Sequence, residues 1–272
     1  MTNTFRLDGK IAVVTGGTGA LGATMCQGLA DAGATVAILA RTEANAQQLA
    51  EQIKSAGGSA AGFACDVLDK SALERTAEAI QSQFGRVDIL VNGAGGNRPE
   101  ATAMPGQRTF FDLPEEALKW VFDLNLVGSV LPSQVFGALM TTQASGTIIN
   151  ISSMASYQPM TRVVAYAAAK AAINNFTQWL AVYMATEHSP DIRVNAIAPG
   201  FFLGEQNRFL LTNEDGSLTQ RGQQIIDHTP MDRFGNPDDL IGATVWLASD
   251  MARFVTGIVV PVDGGFSAFS GV

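Results

Sequence analysis

The run Ile11–Thr15, IAVVT, leading into GGTGALG, restricts the possible folds of this chain more than any other stretch. The apolar, β-branched run reads as a buried strand, the glycines as a tight turn, and Ala23 to Ala32 as a helix. In such a unit Gly16 permits the turn and Gly22 permits close helix packing. The free N–H groups at the start of the helix then suit a pyrophosphate. A glycine-rich turn without a ligand is the competing reading, but a strand before and a helix after are what the binding motif requires.

The same alternation continues along the chain. Strand Thr35 to Ala40 stops at Arg41. An acid there would bind the ribose hydroxyl of NAD, whereas an arginine accommodates the 2′-phosphate of NADP, so Ala40-Arg41-Thr42 favours NADP over NAD unless Arg41 is merely a solvated loop charge. Helix Glu43 to Ala56 and strand Ser59 to Cys65 lead to Asp66, which suits either an adenine edge or the cap of a helix starting near Ser71. Helix Lys70 to Phe84 and strand Val87 to Val91 precede a second glycine cluster, Asn92-Gly93-Ala94-Gly95-Gly96. The polar segment 97–111, broken by Pro99 and Pro105, is expected to loop over a site. Pro114, Glu115 and Glu116 open a helix running with interruptions toward Met140, and Asn125 inside it must find partners or carry a role.

Strand Thr147 to Ile151 is followed by a helix reaching about Glu187, whose apolar residues spread widely around the wheel. That spread predicts a homo-oligomer, a tetramer or dimer. Strand Arg193 to Ala198, a polar lid at about 203–229, helix Asp238 to Ser249 and strand Gly257 to Val262 complete the chain. Together these predict one α/β domain over residues 1–272, a Rossmann-type doubly wound parallel sheet of about seven strands with helices on both faces. Ligands are expected at the carboxyl ends of the strands.

Chemistry is suggested by Ser153, Tyr166 and Lys170. The last two are four apart, so on one helix they share a face, and an ammonium beside a phenol stabilises the phenolate. Ser153 follows a strand, where α/β proteins commonly place functional side chains. Ser152-Ser153 lacks the Gly-x-Ser-x-Gly frame of a hydrolase. The net charge of -8, with no basic cluster, argues against nucleic acid. No apolar run reaches the ~18 residues of a membrane span. The N-terminus shows no apolar core of a secretory signal and the C-terminus no sorting tail. Cys26 and Cys65 are the two cysteines and His188 and His228 the two histidines, so a disulfide framework and a zinc site have nothing to build on. The expectation is a cytoplasmic, metal-independent protein acting on a small molecule.

From Lys10 to Gly265 the chain resembles the short-chain dehydrogenases/reductases. The resemblance is carried by Thr15-Gly16…Gly22, Asp66, Asn92-Gly93-Ala94-Gly95, Asn125, Ser153, Tyr166-x-x-x-Lys170, Asn195 and Pro199-Gly200. It implies an NAD(P)-dependent oxidoreductase moving a hydride between nicotinamide and a carbonyl or alcohol carbon. Tyr166 would be the acid/base and Ser153 would orient the carbonyl oxygen. Lys170 would hold ribose hydroxyls and lower the Tyr166 pKa, and Asn125 would help hold a relay water. The cofactor would lie along Gly16, Thr18, Gly19, Ala20, Leu21, Gly22, Arg41, Asp66, Val67, Asn92, Gly93, Ala94, Tyr166, Lys170, Pro199 and Gly200. Two positions depart from the pattern: the usual middle glycine of the turn is Ala20, and a threonine often found after Pro-Gly is Gly204.

Asn97, Arg98, Gln206, Asn207 and Arg208, together with Ser153, form a donor-rich set suited to a polyhydroxylated, anionic substrate. NGAGGNRP with PGFFLGEQNR resembles the mannonate oxidoreductase (fructuronate reductase) branch, which interconverts a keto sugar acid and an aldonate. A gluconate or polyol dehydrogenase, a 3-oxoacyl thioester reductase and a non-catalytic nucleotide-binding regulator are the alternatives.

Overall fold

A computed structural model describes residues 5–204, 208 and 210–271. Strands β1 (Ile11–Thr15), β2 (Thr35–Ala40), β3 (Ser59–Ala64), β4 (Ile89–Asn92), β5 (Gly146–Ile151), β6 (Ile192–Pro199) and β7 (Val259–Val262) form one sheet. Its order is β3-β2-β1-β4-β5-β6-β7, and every pairing is parallel. The helices are α1 (Ala20–Asp31), α2 (Glu43–Ser55), α3 (Lys70–Phe84), α4 (Glu115–Phe122), α5 (Gly128–Gln143), α6 (Val164–Glu187), α7 (Gln220–Asp227) and α8 (Ile241–Ala248).

The strands read as apolar runs because both faces of the sheet are covered. Every residue of β1, from Ile11 to Thr15, is buried. Ala12 and Val14 pack on one side with Leu29, Ile53 and Leu247, while Ile11 and Val13 pack on the other with Leu73, Phe136 and Met184. Each fully buried aliphatic side chain contributes about 1.5–3 kcal/mol. A one-residue slip would exchange the two faces, which fixes the register.

The strand order reverses between β1 and β4, so the loops leaving these strands diverge and open a crevice at their carboxyl ends. There the two glycine segments meet. Gly16 has φ of +62°, and a Cβ on it would lie 2.8 Å from the backbone of Ala94. The Thr15 hydroxyl accepts from the Gly93 and Ala94 N–H groups at 3.1 and 3.2 Å.

One sequence expectation needs correction and another takes a definite form. Helix α1 begins at Ala20, three residues before the predicted Ala23, because Gly19 adopts the extended conformation of an N-cap. The predicted interruption before Met140 is a π-helical turn, Asp123–Val127, joining α4 to α5. The resulting segment Glu115–Gln143 is long and apolar enough, by length and composition, to cross a membrane. It is a core helix here, with Phe136 and Met140 fully buried beneath the sheet.

Candidate active site

Ser153 leaves the end of β5 and caps a short 3-10 turn, its hydroxyl accepting from the Ala155 N–H at 3.1 Å. Tyr166 lies in the first turn of α6, and Lys170 one turn further on the same face. Burial pushes the Tyr166 phenol above the usual tyrosine range, and the facing Ser153 hydroxyl pulls it back. Lys170 is only 3 % exposed. Burial pulls its ammonium down to about 8, while Nζ donates to the Ile151 carbonyl at 2.7 Å.

Asn125 occupies the π turn and is fully buried. Its Oδ1 accepts from the Gly96 N–H at 3.1 Å, and its Nδ2 donates to the carbonyls of Gly96 at 2.6 Å and Val121 at 2.7 Å. π turns frequently mark functional positions. Gly95 lets this group and the lysine approach: a Cβ there would lie 2.8 Å from Asn125 Oδ1 and 3.3 Å from Lys170 Nζ. The Gly95 loop, the π turn and α6 therefore meet around Lys170 Nζ, while Ser153 and Tyr166 line a recess with Pro199, Gly200 and Leu21.

Residues not anticipated from sequence hold this recess in shape. Ser152 is 1 % exposed and donates to Asn174 Oδ1 at 2.5 Å, and Asn174 Nδ2 donates to Ser156 Oγ at 2.8 Å. These bonds tie the Ser153 loop to α6. Deeper still, Asn92 Nδ2 donates to Ser133 Oγ and Asn150 Oδ1, at 2.9 and 2.8 Å. The Asn92 amide nitrogen thus ties β4 to β5 and to α5, while its Oδ1 is buried without a hydrogen-bond partner among the described residues.

The remaining predicted cofactor positions lie at the start of α1 and in the loops leaving β2 and β3. Gly19 caps α1 with no side-chain bond, and the first turn carries no acid, which leaves the backbone N–H groups around Ala20, Leu21 and Gly22 suited to a pyrophosphate. Gly22 is held to glycine because a Cβ would lie 2.2 Å from the Gly16 carbonyl oxygen. Thr18 is half-buried in the same turn, and Arg41 is exposed beyond the end of β2. Asp66 accepts from the Leu68 N–H at 2.9 Å, while the cap of α3 is Asp69, so the capping alternative for Asp66 falls. Val67 is buried against the side of α5 at Gly128. The residues present fit a dinucleotide.

The predicted substrate donors fare differently. Asn97 Nδ2 donates to Thr102 Oγ1 at 2.9 Å, and the Arg98 guanidinium stacks 3.8 Å from the centroid of the Trp120 ring. Asn97 thus braces its own loop, and Arg98 fastens that loop to α4. Arg208 is exposed, and Gln206 and Asn207 lie outside the described residues. From 210 to 229 the lid folds through an antiparallel bridge, Thr212 to Leu218, and α7, with Leu211, Ile225 and Ile226 buried beneath it.

Residues 10–215 match the model of the short chain dehydrogenase family. The chain belongs to that family. This short-chain dehydrogenase is 53% identical to UxuB of Bacillus subtilis (strain 168), an oxidoreductase of uncharacterised activity, over 98% of both chains. It is 43% identical to a Haemophilus influenzae protein provisionally named a D-mannonate oxidoreductase and solved with bound NAD, with a TM-score of 0.92 over 98% of each chain. A gluconate 5-dehydrogenase from Burkholderia cenocepacia in complex with NADP and tartrate is 32% identical, with a TM-score of 0.87 over 98% of each chain. The short-chain dehydrogenase is accordingly an NAD(P)-dependent oxidoreductase acting on CH–OH groups.

Proposed function

We propose that this short-chain dehydrogenase interconverts a keto sugar acid and the corresponding aldonate, of the D-fructuronate/D-mannonate type. The observation that carries this reading is the 43% identity, over 98% of both chains, to the Haemophilus influenzae protein of that provisional name.

When bound, the nicotinamide supplies or accepts the hydride. In the reducing direction Tyr166 gives its phenolic proton to the carbonyl oxygen as the carbon receives the hydride, and Ser153 donates a hydrogen bond to that oxygen. In the oxidising direction the phenolate takes the alcohol proton. Lys170, while charged, favours the phenolate and offers donors to ribose hydroxyls. Asn125 acts through its fixed place in the π turn. Its amide is committed to Gly96 and Val121, so the relay water falls to its backbone carbonyl or to the second lone pair of Oδ1.

Arg41 supports NADP, whereas the NAD bound in the Haemophilus relative supports NAD. A second reading, a gluconate-type dehydrogenase, is favoured by the Burkholderia relative. Along α6, Trp179, Val182 and Tyr183 are exposed on one side, which supports a homo-oligomer, and a cytoplasmic location accompanies the reading.

The test is oxidation of NADPH and of NADH with fructuronate, tagaturonate, 5-ketogluconate and an acetoacetyl thioester side by side. A rate confined to fructuronate and tagaturonate is expected. A rate confined to the thioester would overturn the sugar-acid reading.

A further inference from the structure

Arg162 lies in the loop between Ser153 and Tyr166, with φ of +81°, a left-handed conformation uncommon for any residue but glycine. Its carbonyl accepts from the Ala103 N–H at 2.8 Å, and its Nη1 lies 3.9 Å from Met104 Sδ, so the loop over the site closes onto it. From the lid, Arg221 Nη1 donates to the hydroxyl of the neighbouring Thr161 at 3.3 Å. Three chain segments, the 97–111 loop, the loop leading from Ser153 to Tyr166, and α7, therefore meet at two arginines.

This meeting is electrostatically unfavourable as it stands. Arg221 is half-buried, and burial together with the charge of Arg162 holds its guanidinium below the usual arginine range. It is also the second residue of α7, where the helix dipole disfavours a cation. Other arginines are relieved: Arg86 pairs with Asp88, Arg233 with Asp239, and Arg193 donates to the carbonyls of Leu247, Ser249 and Val255. Among the described residues no acid pairs with Arg162 or Arg221. Two guanidinium groups near enough to feel each other's charge, and paired with no acid among the described residues, suit a carboxylate.

We infer that Arg162 and Arg221 form the site that holds the substrate's carboxylate and so set which carbon of the keto acid faces Ser153 and Tyr166. The inference rests on the sugar-acid reading above and deepens it. It moves anion recognition from Arg98 and Arg208, the arginines singled out in the sequence, to a pair separated along the chain and joined by the fold.

The experiment is calorimetric binding of D-mannonate, and of uncharged D-mannitol, to the cofactor-saturated enzyme and to its Arg162→Gln, Arg221→Gln and Arg221→Lys variants. Each glutamine variant is expected to weaken mannonate binding by about 10- to 100-fold, the range for losing a hydrogen bond to a charged group. Mannitol and cofactor affinities should stay within about twofold of the parent, since neither needs the pair's charge. Arg221→Lys should recover part of the loss. No mannonate binding by the parent, or equal binding by parent and glutamine variants, would overturn the carboxylate site. Turnover of fructuronate, followed separately by cofactor absorbance, judges the function: turnover without arginine dependence removes only the carboxylate site, and arginine-dependent binding without turnover of any sugar acid removes only the proposed reaction.

Discussion

Lys170 Nζ lies 5.6 Å from the centroid of the Tyr166 ring and 2.7 Å from the Ile151 carbonyl oxygen. The ammonium is thus anchored to the strand end and placed below the phenol, not hydrogen-bonded to it. What it offers Tyr166 is a charge at short range in a setting where burial disfavours both ionised forms.

Tyr166→Phe removes the proton donor and leaves the ring. Turnover should fall by about 10²- to 10⁴-fold, the usual worth of general acid–base catalysis, with cofactor affinity nearly unchanged. Steady-state kinetics beside fluorescence titration of the cofactor will show it, and retained turnover would dismiss Tyr166 as the acid/base.

Lys170→Met should raise stability while abolishing activity. Burial lowers the lysine from 10.5 to about 8 in the folded chain, so at pH 7 the charged form costs the fold about 3 kcal/mol. As pH rises through about 8 the folded protein discharges first, and the unfolded chain, still protonated up to about 10.5, binds more protons. Stability of the parent therefore rises across that window. Thermal melting of the cofactor-free forms should give the methionine variant the higher midpoint at pH 7 and a shrinking advantage above pH 8. A variant less stable at pH 7 would contradict this.

Gly95→Ala places a methyl 2.8 Å from Asn125 Oδ1 and 3.3 Å from Lys170 Nζ. Displacing either group by a few tenths of an ångström should lower kcat by about 10-fold, since positioning errors near the chemistry are costly. The melting temperature should move little, because Gly95 is exposed and the sheet lies elsewhere. Parallel kcat and melting measurements separate this outcome from general destabilisation.

Arg41→Ala should weaken NADPH binding by about 10-fold, the loss of a charge-assisted phosphate contact, and leave NADH within about twofold. Equal effects on both cofactors would mean that Arg41 does not touch the 2′-phosphate.

The doubly wound sheet was legible because short apolar runs such as β1 (IAVVT), β2 (TVAILA) and β4 (ILVN) alternate with helical segments along the chain, a pattern that a sheet covered on both faces demands. Ser153, Tyr166, Lys170 and Asn125 were legible as a set from family spacing; Ser153 and Tyr166 share a recess, and Lys170 and Asn125 meet beside Gly95. The π turn was not, since FDLNLVGS carries no proline or glycine pair to mark an irregularity within its first five residues. The depressed lysine was hidden because burial by β5 and the Gly95 loop is a tertiary effect. Arg98 looked like a substrate ligand until Trp120, far along the chain, supplied the surface on which it stacks. Arg162 and Arg221 went unremarked for the converse reason: each is ordinary alone, and only the fold sets them together.

The π turn at Asp123–Val127 makes the Glu115–Gln143 helix one residue too long for a regular α-helical path. Winding all of its residues as an ordinary α-helix, without the π turn, would rotate everything upstream by about 100° relative to α5. Trp120 would swing away from Arg98 and Val121 out of its core, while Asn125 would lose its grip on Gly96. The extra residue therefore acts as a phase shim, and a tighter, more regular helix here should give a chain that still folds its sheet but can no longer assemble its recess.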